Sequence, residues 1–354
     1  MKKGFDAEKY VTAQSLEIRK RVARFGRLYL EVGGKLCRDE HAARVLPGYR
    51  ESSKIEILRE LGDIDIVYCV SARDLVSDRE VGLSGLSFEE KVIGDLKDID
   101  FFPRKKSGGR WSVVGGRKNR VKIVVTRFSG EVDAKKFGTR MGKRYDVYFY
   151  DEIKGYGKDL GATLRGYGKN AYVKLDSDLV VVTGPGGGSG KMGFALSQIY
   201  AERKAHRDNR KSVIGNREEA GFAKFESFPI WNLAMNHPVN LAYEAATADL
   251  GDFNMIDKFH LKAYGKRAVN YNRDVDNFLI LRKVLGKRFP FGYRSVTDMG
   301  VNMMKVGIVD DEVCRRAGGA EVRRRLRKAL EVDRDSLESV RLREIVGKLE
   351  PRMA

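Results

Sequence analysis

One stretch decides how this chain folds: Leu179-Val180-Val181-Val182-Thr183-Gly184-Pro185-Gly186-Gly187-Gly188-Ser189-Gly190-Lys191-Met192. It begins with a short aliphatic run bounded by turn residues, which is typical of a buried strand in a parallel sheet. After the lysine, apolar residues recur at helical spacing through Tyr200. The glycines must therefore make the turn from a strand to a helix, and this order of elements predicts a layered α/β protein.

The glycine loop, residues 184–190, is suited to binding an anion. In such a turn, backbone N–H groups converge at the positive end of the helix dipole, and Lys191 adds a mobile cation. A phosphate group is the expected anion, and a structural glycine turn with a surface lysine is the alternative. The residues predicted to hold the anion are Gly186, Gly187, Gly188, Ser189, Gly190 and Lys191.

Two positions of the loop differ from the standard phosphate-binding loop. Pro185 stands where that loop has glycine, and Met192 follows the lysine where serine or threonine normally holds magnesium. Because that hydroxyl group is missing, the sequence favours anion binding over hydrolysis of a nucleoside triphosphate.

Composition and charge limit the class of protein. The 354 residues are 42% hydrophobic, which is enough for a substantial core. A formal net charge of +19 favours anionic partners, although the basic residues are spread along the whole chain and surface solubility is the alternative. Cys37, Cys69 and Cys314 lack metal-ligand spacing, which predicts reduced thiols and a cytoplasmic protein. No run of residues is apolar and long enough to predict export or a membrane span.

Alternation of strand and helix patterns along the chain predicts mostly parallel sheets in Rossmann-like or P-loop-like layers, followed by a helical C-terminal part. We divide the chain into an N-terminal α/β domain (1–172), an α/β domain with the glycine loop and a polar site segment (173–310), and a charged helical tail (311–354). Within the second domain, residues 299–306 read as one apolar helix capped by Thr297-Asp298.

The segment 231–273 is dense in asparagine, aspartate and histidine. Such residues line a ligand site in one interpretation, and in the other they serve as helix caps and turns. If phosphoryl transfer occurs, Asp249 and Glu244 are the candidates for metal or general-base work, with Asp249 as the metal ligand. Arg273 is the candidate cation for the developing charge. His237 and His41 are the candidate acids or bases, with cap or core histidines as the alternative.

Four further patterns each have a functional interpretation and a purely structural one. The residues 33–35, Gly-Gly-Lys, resemble a second anion-binding turn or a tight turn. The basic stretch 104–111 ends in Trp111 and could track a nucleic acid or be a solvated loop. Asp151-Glu152 closes a strand in the manner of magnesium-holding acids, or is a pair of acids at a strand end that holds no metal. The run 323–328 is a solvated helix face or a polyanion contact.

Several motifs carry a resemblance to a known family. They occur in one order over nearly the whole chain, and they include the glycine loop and the blocks 28–36, 41–49, 237–250, 268–274 and 297–303. Two others read Phe5-Asp6-Ala7-Glu8-Lys9-Tyr10 and Lys224-Phe225-Glu226-Ser227-Phe228-Pro229-Ile230-Trp231-Asn232-Leu233. The sequence resembles the family of microbial proteins called domain of unknown function DUF1846.

The resemblance implies an α/β core followed by a helical part. It also implies that proline at position 185 and an apolar residue at position 192 are features of the family's loop. The resemblance further implies that relatives extend beyond the C-terminus of this sequence. This chain is therefore expected to be a C-terminally shortened member of the family.

Two classes of function fit these observations. The first is an enzyme or switch that binds a phosphorylated small molecule at the glycine loop, with ATP or another nucleotide as cofactor, magnesium left open, and transferase or hydrolase chemistry. Met192 makes a sugar phosphate or other phosphometabolite a further candidate ligand. The second is an RNA-binding or polyanion-binding protein without catalysis, and assembly into a homo-oligomer is compatible with either.

Overall fold

A computed structural model describes residues 2–33, 36–77, 86–100, 103–105, 111–113, 121–209, 218–285 and 292–349. Within these ranges helices and strands alternate along most of the chain. The strands are β1 (Phe25–Val32), β2 (Ile64–Ser71), β3 (Pro103–Lys105), β4 (Trp111–Val113), β5 (Val121–Phe128), β6 (Asp146–Asp151), β7 (Leu179–Thr183), β8 (Glu218–Phe225), β9 (Asn254–Ile256), β10 (Val269–Tyr271) and β11 (Gly300–Val301). The helices are α1 (Ala7–Arg24), α2 (Glu40–Val45), α3 (Ser53–Leu61), α4 (Ala72–Ser77), α5 (Phe88–Asp100), α6 (Val132–Met141), α7 (Leu160–Lys169), α8 (Lys191–Asn209), α9 (Pro238–Ala246), α10 (Lys258–Tyr264), α11 (Asn272–Leu285), α12 (Val296–Met299), α13 (Met304–Gly307), α14 (Asp311–Val332) and α15 (Leu337–Leu349), with a 3₁₀ turn at Ala248–Leu250.

The centre of the fold is a parallel sheet with flanking helices. Among the described residues it has seven strands in the order β11-β8-β1-β7-β2-β5-β6, and every neighbouring pair is parallel. Strands β2 and β7 are buried at every residue. A sheet covered on both faces requires such nearly continuous apolar strands. The predicted α/β class, with its helical C-terminal part, is confirmed.

The order of the strands creates a crossing point at the middle of the sheet. The connection from β1 to β2 passes β7, and the connection from β7 to β8 passes β1 in the opposite direction. Right-handed crossovers that move in opposite directions lie on opposite faces of a sheet, so the loops after β1 and β7 diverge. Ligands of open α/β sheets bind at the carboxyl ends of strands at such a point.

The strand order also shows that the predicted domain boundary at residue 172 lies within one sheet. Strand β7, from the second predicted domain, lies between β1 and β2 of the first, and β8 lies on the other side of β1. The boundary therefore divides the chain in sequence while its two sides share one sheet.

Residues 299–306 do not form the single apolar helix that the sequence predicts. Helix α12 ends at Met299, Gly300 and Val301 pair with β8 as the edge strand β11, and α13 begins at Met304. Pairing with β8 takes the place of helical hydrogen bonds at Gly300 and Val301. Glycine suits this position, because a Cβ atom at Gly300 would collide with Oε2 of Glu226, which directly follows β8.

The C-terminal helices pack onto the rest of the protein. Helix α14 contacts α9, α2 and α15, and a Cβ atom at its Gly318 would lie 2.7 Å from backbone atoms of Pro238. Buried Glu321 of α14 accepts from Arg324 and lies 3.2 Å from Nδ1 of His41. Burial alone would raise the pKa of Glu321, but these hydrogen bonds hold it well below its ordinary value. His41, a candidate acid or base, thus contacts the C-terminal helices.

The sequence predicts reduced thiols and no membrane-spanning segment. Cys37, Cys69 and Cys314 are all free. Across the described ranges, no helix has both the length and the apolar character that crossing a membrane requires.

Candidate functional site

The glycine loop joins β7 to α8, as the sequence predicts, and its glycines are required by close contacts. Gly190 has φ +83°, and a Cβ atom there would lie 2.6 Å from Oγ1 of Thr126. A Cβ atom at Gly184 would lie 2.5 Å from the carbonyl oxygen of Cys69. Gly188 also has a positive φ, +80°. The loop is therefore pressed against the ends of β2 and β5, where side chains larger than hydrogen do not fit.

Hydrogen bonds hold the shape of the loop. Thr126 Oγ1 donates to the Ser189 carbonyl at 2.9 Å, and Ser189 Oγ donates to the Gly186 carbonyl at 3.1 Å. Lys191 Nζ donates to the same Gly186 carbonyl at 2.8 Å and contacts Ser189 Oγ at 3.3 Å. The ammonium group therefore lies under the loop and does not extend into solvent.

The backbone N–H groups of the loop are left free. Among the described residues, those of Gly187, Gly188 and Gly190 have no hydrogen-bond acceptor. Gly187 and Gly188 are exposed, and α8 begins at Lys191, directly after the loop, with its own unpaired first-turn amides. Free N–H groups in consecutive positive-φ turns at a helix N-terminus are the usual donors for a bound anion.

Lys191 is a buried cation, with only 7% of its surface exposed. Burial lowers the pKa of its ammonium group, Lys224 and Arg273 lower it further, and Glu31 opposes them. Desolvating a charge without a close counter-ion is unfavourable for stability. Such a group is typical of a site that awaits a negatively charged ligand.

Arg273, the predicted cation, lies against the glycine loop. A Cβ atom at Gly187 would collide with its Nη1, and its Nη2 lies 2.8 Å from Oδ1 of Asp252. Burial raises the pKa of the Asp252 carboxyl, and Arg273 opposes the shift. The loop therefore has two cationic side chains beside it, Lys191 from α8 and Arg273 from α11.

A second group of charges lies at the carboxyl ends of β1 and β8. We call it the Lys224 cluster, and it consists of Glu31, Lys224, Glu226 and Asp274. Lys224 Nζ pairs with Asp274 Oδ1 and lies 3.3 Å from Glu226 Oε1. In the sheet, Glu31 is the register partner of both Lys224 and Val182, so it stands between β8 and the strand that leads into the loop.

The other predicted site residues have contacts elsewhere. His237 caps α9, where its Nδ1 accepts from the Val239 N–H, and its Nε2 lies 3.1 Å from Asp311. Burial lowers the pKa of this histidine. Glu244 accepts from the N–H of Asn254 at 3.2 Å and pairs with Lys348 at 2.5 Å.

Asp249, the predicted metal ligand, is exposed in the 3₁₀ turn, and its charge helps to raise the pKa of Glu338, which burial raises most. Within the part of the chain that the structure describes, no three histidine, cysteine, aspartate or glutamate side chains are grouped as a metal site. Of the candidates from segment 231–273, Arg273 reaches the loop. His237 caps α9, Glu244 pairs with Lys348, and Asp249 is exposed.

Other predicted features lie partly outside the described residues. This holds for Gly34 and Lys35 of the second glycine turn and for 106–110 of the basic stretch. Glu152, which was considered for magnesium binding, pairs with Arg73.

The Lys224 cluster was missed by reasoning from sequence alone. A signal was available, because Glu31 and Lys224 interrupt the apolar ends of two strands, and charged residues at strand ends of a parallel sheet mark ligand sites. Strand order was needed to see that these ends are neighbours.

Fold and site together define a parallel α/β protein whose glycine loop and helix N-terminus lie at the carboxyl edge of the sheet, beside buried ionisable side chains. The family described as domain of unknown function DUF1846, N-terminal, matches residues 3–349, and the chain belongs to this family.

Two related proteins match most of this chain. A UPF0371 protein of Clostridium tetani (strain Massachusetts / E88) is 41% identical over 331 residues, which covers 92% of this chain and 61% of the relative. A UPF0371 protein of Fusobacterium nucleatum is 42% identical over 336 residues, with 92% and 60% covered. The chain thus spans about three fifths of the length of the curated relatives it matches.

Proposed function

We propose that this protein binds a phosphorylated small molecule, such as ATP or another nucleotide, with a phosphate group at the glycine loop, and acts on it as a transferase or hydrolase. One observation carries the proposal. The free N–H groups of Gly187, Gly188 and Gly190 belong to the loop that Lys191 and Arg273 flank with positive charge. A cytoplasmic location, expected from the cysteines, would give the protein access to such ligands.

The binding mode follows from these groups. The N–H groups donate to phosphate oxygens, whose negative charge is favoured at the N-terminus of α8. Lys191 exchanges its contact with the Gly186 carbonyl for a charged partner, which offsets the cost of its burial. Arg273 supplies a second charge, and in phosphoryl transfer it would stabilise the charge that develops on the transferred group.

A magnesium ion is not required by this binding mode. Met192 offers no hydroxyl group to a metal, and Asp249 is exposed beside Glu338. Two other acids near the loop, Asp252 and Asp274, are paired with Arg273 and Lys224. We therefore propose that the two cations neutralise the phosphate, and ligands should be compared with and without magnesium.

Arg273→Ala should weaken the binding of ATP and of inorganic tripolyphosphate by about thirtyfold, because a hydrogen bond to a charged group contributes about 2 kcal/mol. Isothermal titration calorimetry measures the change. The matched control is Arg282→Ala, an exposed arginine of the same helix that lies over the ring of Phe259. Equal affinities of Arg273→Ala and wild type would contradict the proposal.

The second candidate function, binding of RNA or another polyanion, is favoured by a basic groove on the C-terminal helices. The groove has a volume of about 850 Å³ between α14 and α15, and Arg315, Arg316, Arg323 and Arg327 line it. The salt dependence of the binding affinity distinguishes the two candidate functions. If all four arginines contact phosphates, RNA affinity falls about 600-fold for each tenfold rise in salt, whereas a pocket for one phosphate group is far less sensitive.

A further inference from the structure

The Lys224 cluster has one buried cation for two buried carboxyl groups. Lys224 pairs with Asp274 from α11 and with Glu226 at the end of β8. Glu226 exposes only 5% of its surface, and its backbone N–H donates to the Val301 carbonyl of β11 at 3.0 Å. Gly300 of the same strand makes the room that its Oε2 occupies. The carboxyl group is therefore held in a fixed, water-poor place.

Burial and two neighbouring carboxylates favour the protonated form of Glu226, although Lys224 is close to it. Burial raises the pKa of Glu226 to about 7, Asp274 of α11 and Glu31 of β1 add to the rise, and Lys224 opposes it. From β11 the neighbours Gly300 and Val301 bring no charge. Glu226 is thus a buried acid that gains or loses its proton near neutral pH.

Two connections link the groups around this carboxyl to the glycine loop. Asp274 directly follows Arg273, so one turn of α11 contacts the loop with one residue and the cluster with the next. Glu31 lies in register between Lys224 and Val182, and its charge acts on both Lys191 and Glu226. Negative charge added at the loop would therefore act on Glu226 together with these neighbouring charges, and the burial of Glu226 itself strengthens the interaction.

We propose that Glu226 takes up a proton when the glycine loop binds an anion, so that the site holds a carboxylic acid beside its ligand. This inference rests on the proposed function and assigns a proton-exchange role to a residue outside the loop. The proton comes from solvent on binding, and it returns to solvent when a ligand such as sulfate is released unreacted.

The ligand class follows from this role. A carboxylic acid beside a phosphate can give its proton to the oxygen that departs when the phosphoryl group is transferred to water or to a hydroxyl acceptor. The acceptor oxygen bonds to phosphorus and releases its proton to solvent, and the bond from phosphorus to the departing oxygen breaks. The Glu226 proton moves to the departing oxygen, and the carboxylate stays paired with Lys224. Phosphorylated compounds whose departing oxygen must be protonated fit this arrangement.

The experiment measures the affinity for sulfate, an oxyanion whose own charge is constant near neutral pH. Binding is measured by calorimetry at about pH 6 and about pH 8, on either side of the value for Glu226, and at pH values between them to locate the midpoint. Wild type should bind sulfate about fivefold more weakly at the higher pH if the anion raises the pKa of Glu226 by about one unit. Glu226→Gln carries no titrating group there and should bind equally at both values.

The controls separate Glu226 from other titrating groups. Glu202→Gln alters a partly buried carboxylate that pairs with Arg27 near the start of β1, and it should keep the wild-type pH dependence. Asp274→Asn removes a neighbouring negative charge and should move the midpoint of the pH dependence to lower pH. This variant also provides a test if Glu226→Gln does not fold.

The possible failures are distinguishable. The proton proposal alone is overturned if wild type binds sulfate equally at both pH values. It is also overturned if the pH dependence persists in Glu226→Gln, since the dependence would then belong to Lys191. Absence of sulfate binding by wild type at every pH overturns the proposed function and, with it, this inference.

Discussion

Lys191→Met should abolish the stabilisation of this protein by phosphorylated ligands while changing the stability of the free protein by less than about 1 kcal/mol, because burying an ammonium group is itself unfavourable. The methionine keeps most of the buried stem and loses the charge. For wild type, a ligand at about a hundred times its Kd raises the free energy of unfolding by about 2.7 kcal/mol. Thermal unfolding with ATP, inorganic tripolyphosphate and sugar phosphates, each with and without magnesium, measures both quantities.

The control for this prediction is Lys262→Met, an exposed lysine of α10. It should respond to ligands as wild type does. If Lys191→Met shows the same shift in Tm as wild type, the buried ammonium group is not part of a ligand site. If no phosphorylated compound shifts wild type, the glycine loop is a structural turn.

Gly190→Ala should lower the free energy of unfolding by about 3 kcal/mol, with contributions from the left-handed backbone and from overpacking. The added methyl group would lie 2.6 Å from Oγ1 of Thr126, and φ at this position is +83°. For a chain of this length the loss corresponds to about 4 °C in Tm. Chemical denaturation and thermal unfolding measure it, and the anion response should also fall because the Gly190 N–H moves.

Gly193→Ala is the matched control, one turn further along α8. A methyl group there would be 3.7 Å from the hydroxyl of Tyr156, an ordinary contact, and alanine favours a helix over glycine by up to about 1 kcal/mol. The control should therefore be neutral or stabilising. Equal stability of Gly190→Ala and Gly193→Ala would mean that the loop is not pressed against Thr126 as described.

The strand, glycine turn and helix of this protein could be predicted from sequence because each has a local signature. Apolar residues of β7 run continuously and those of α8 recur at helical spacing, so both elements are confirmed. Residues 299–306 show the limit of this reasoning. Their apolar pattern is helical, but Gly300 packs against Glu226, a contact between distant parts of the chain that no local pattern contains.

The candidate site was predictable to a similar degree. The loop residues could be named because a run of glycines followed by lysine is typical of an anion-binding turn. Arg273 could be named as a cation within the polar segment 231–273. Asp257 and His237 could not be separated from site residues, since asparagine, aspartate and histidine also cap helices, and both of these do so. Glu31, Lys224 and Glu226 become one cluster only through the strand order β8-β1-β7.

The most direct test of anion binding at the glycine loop is a titration followed by nuclear magnetic resonance. Labelling glycine with nitrogen-15 gives signals from the 38 glycines of the chain, and Gly186→Ala, whose methyl group would meet nothing within 4 Å, identifies one loop signal. As inorganic tripolyphosphate is added, the signals of Gly186, Gly187, Gly188 and Gly190 should shift together and saturate. Loop signals that stay in place, while glycines such as Gly319 in the basic groove respond, would contradict the account.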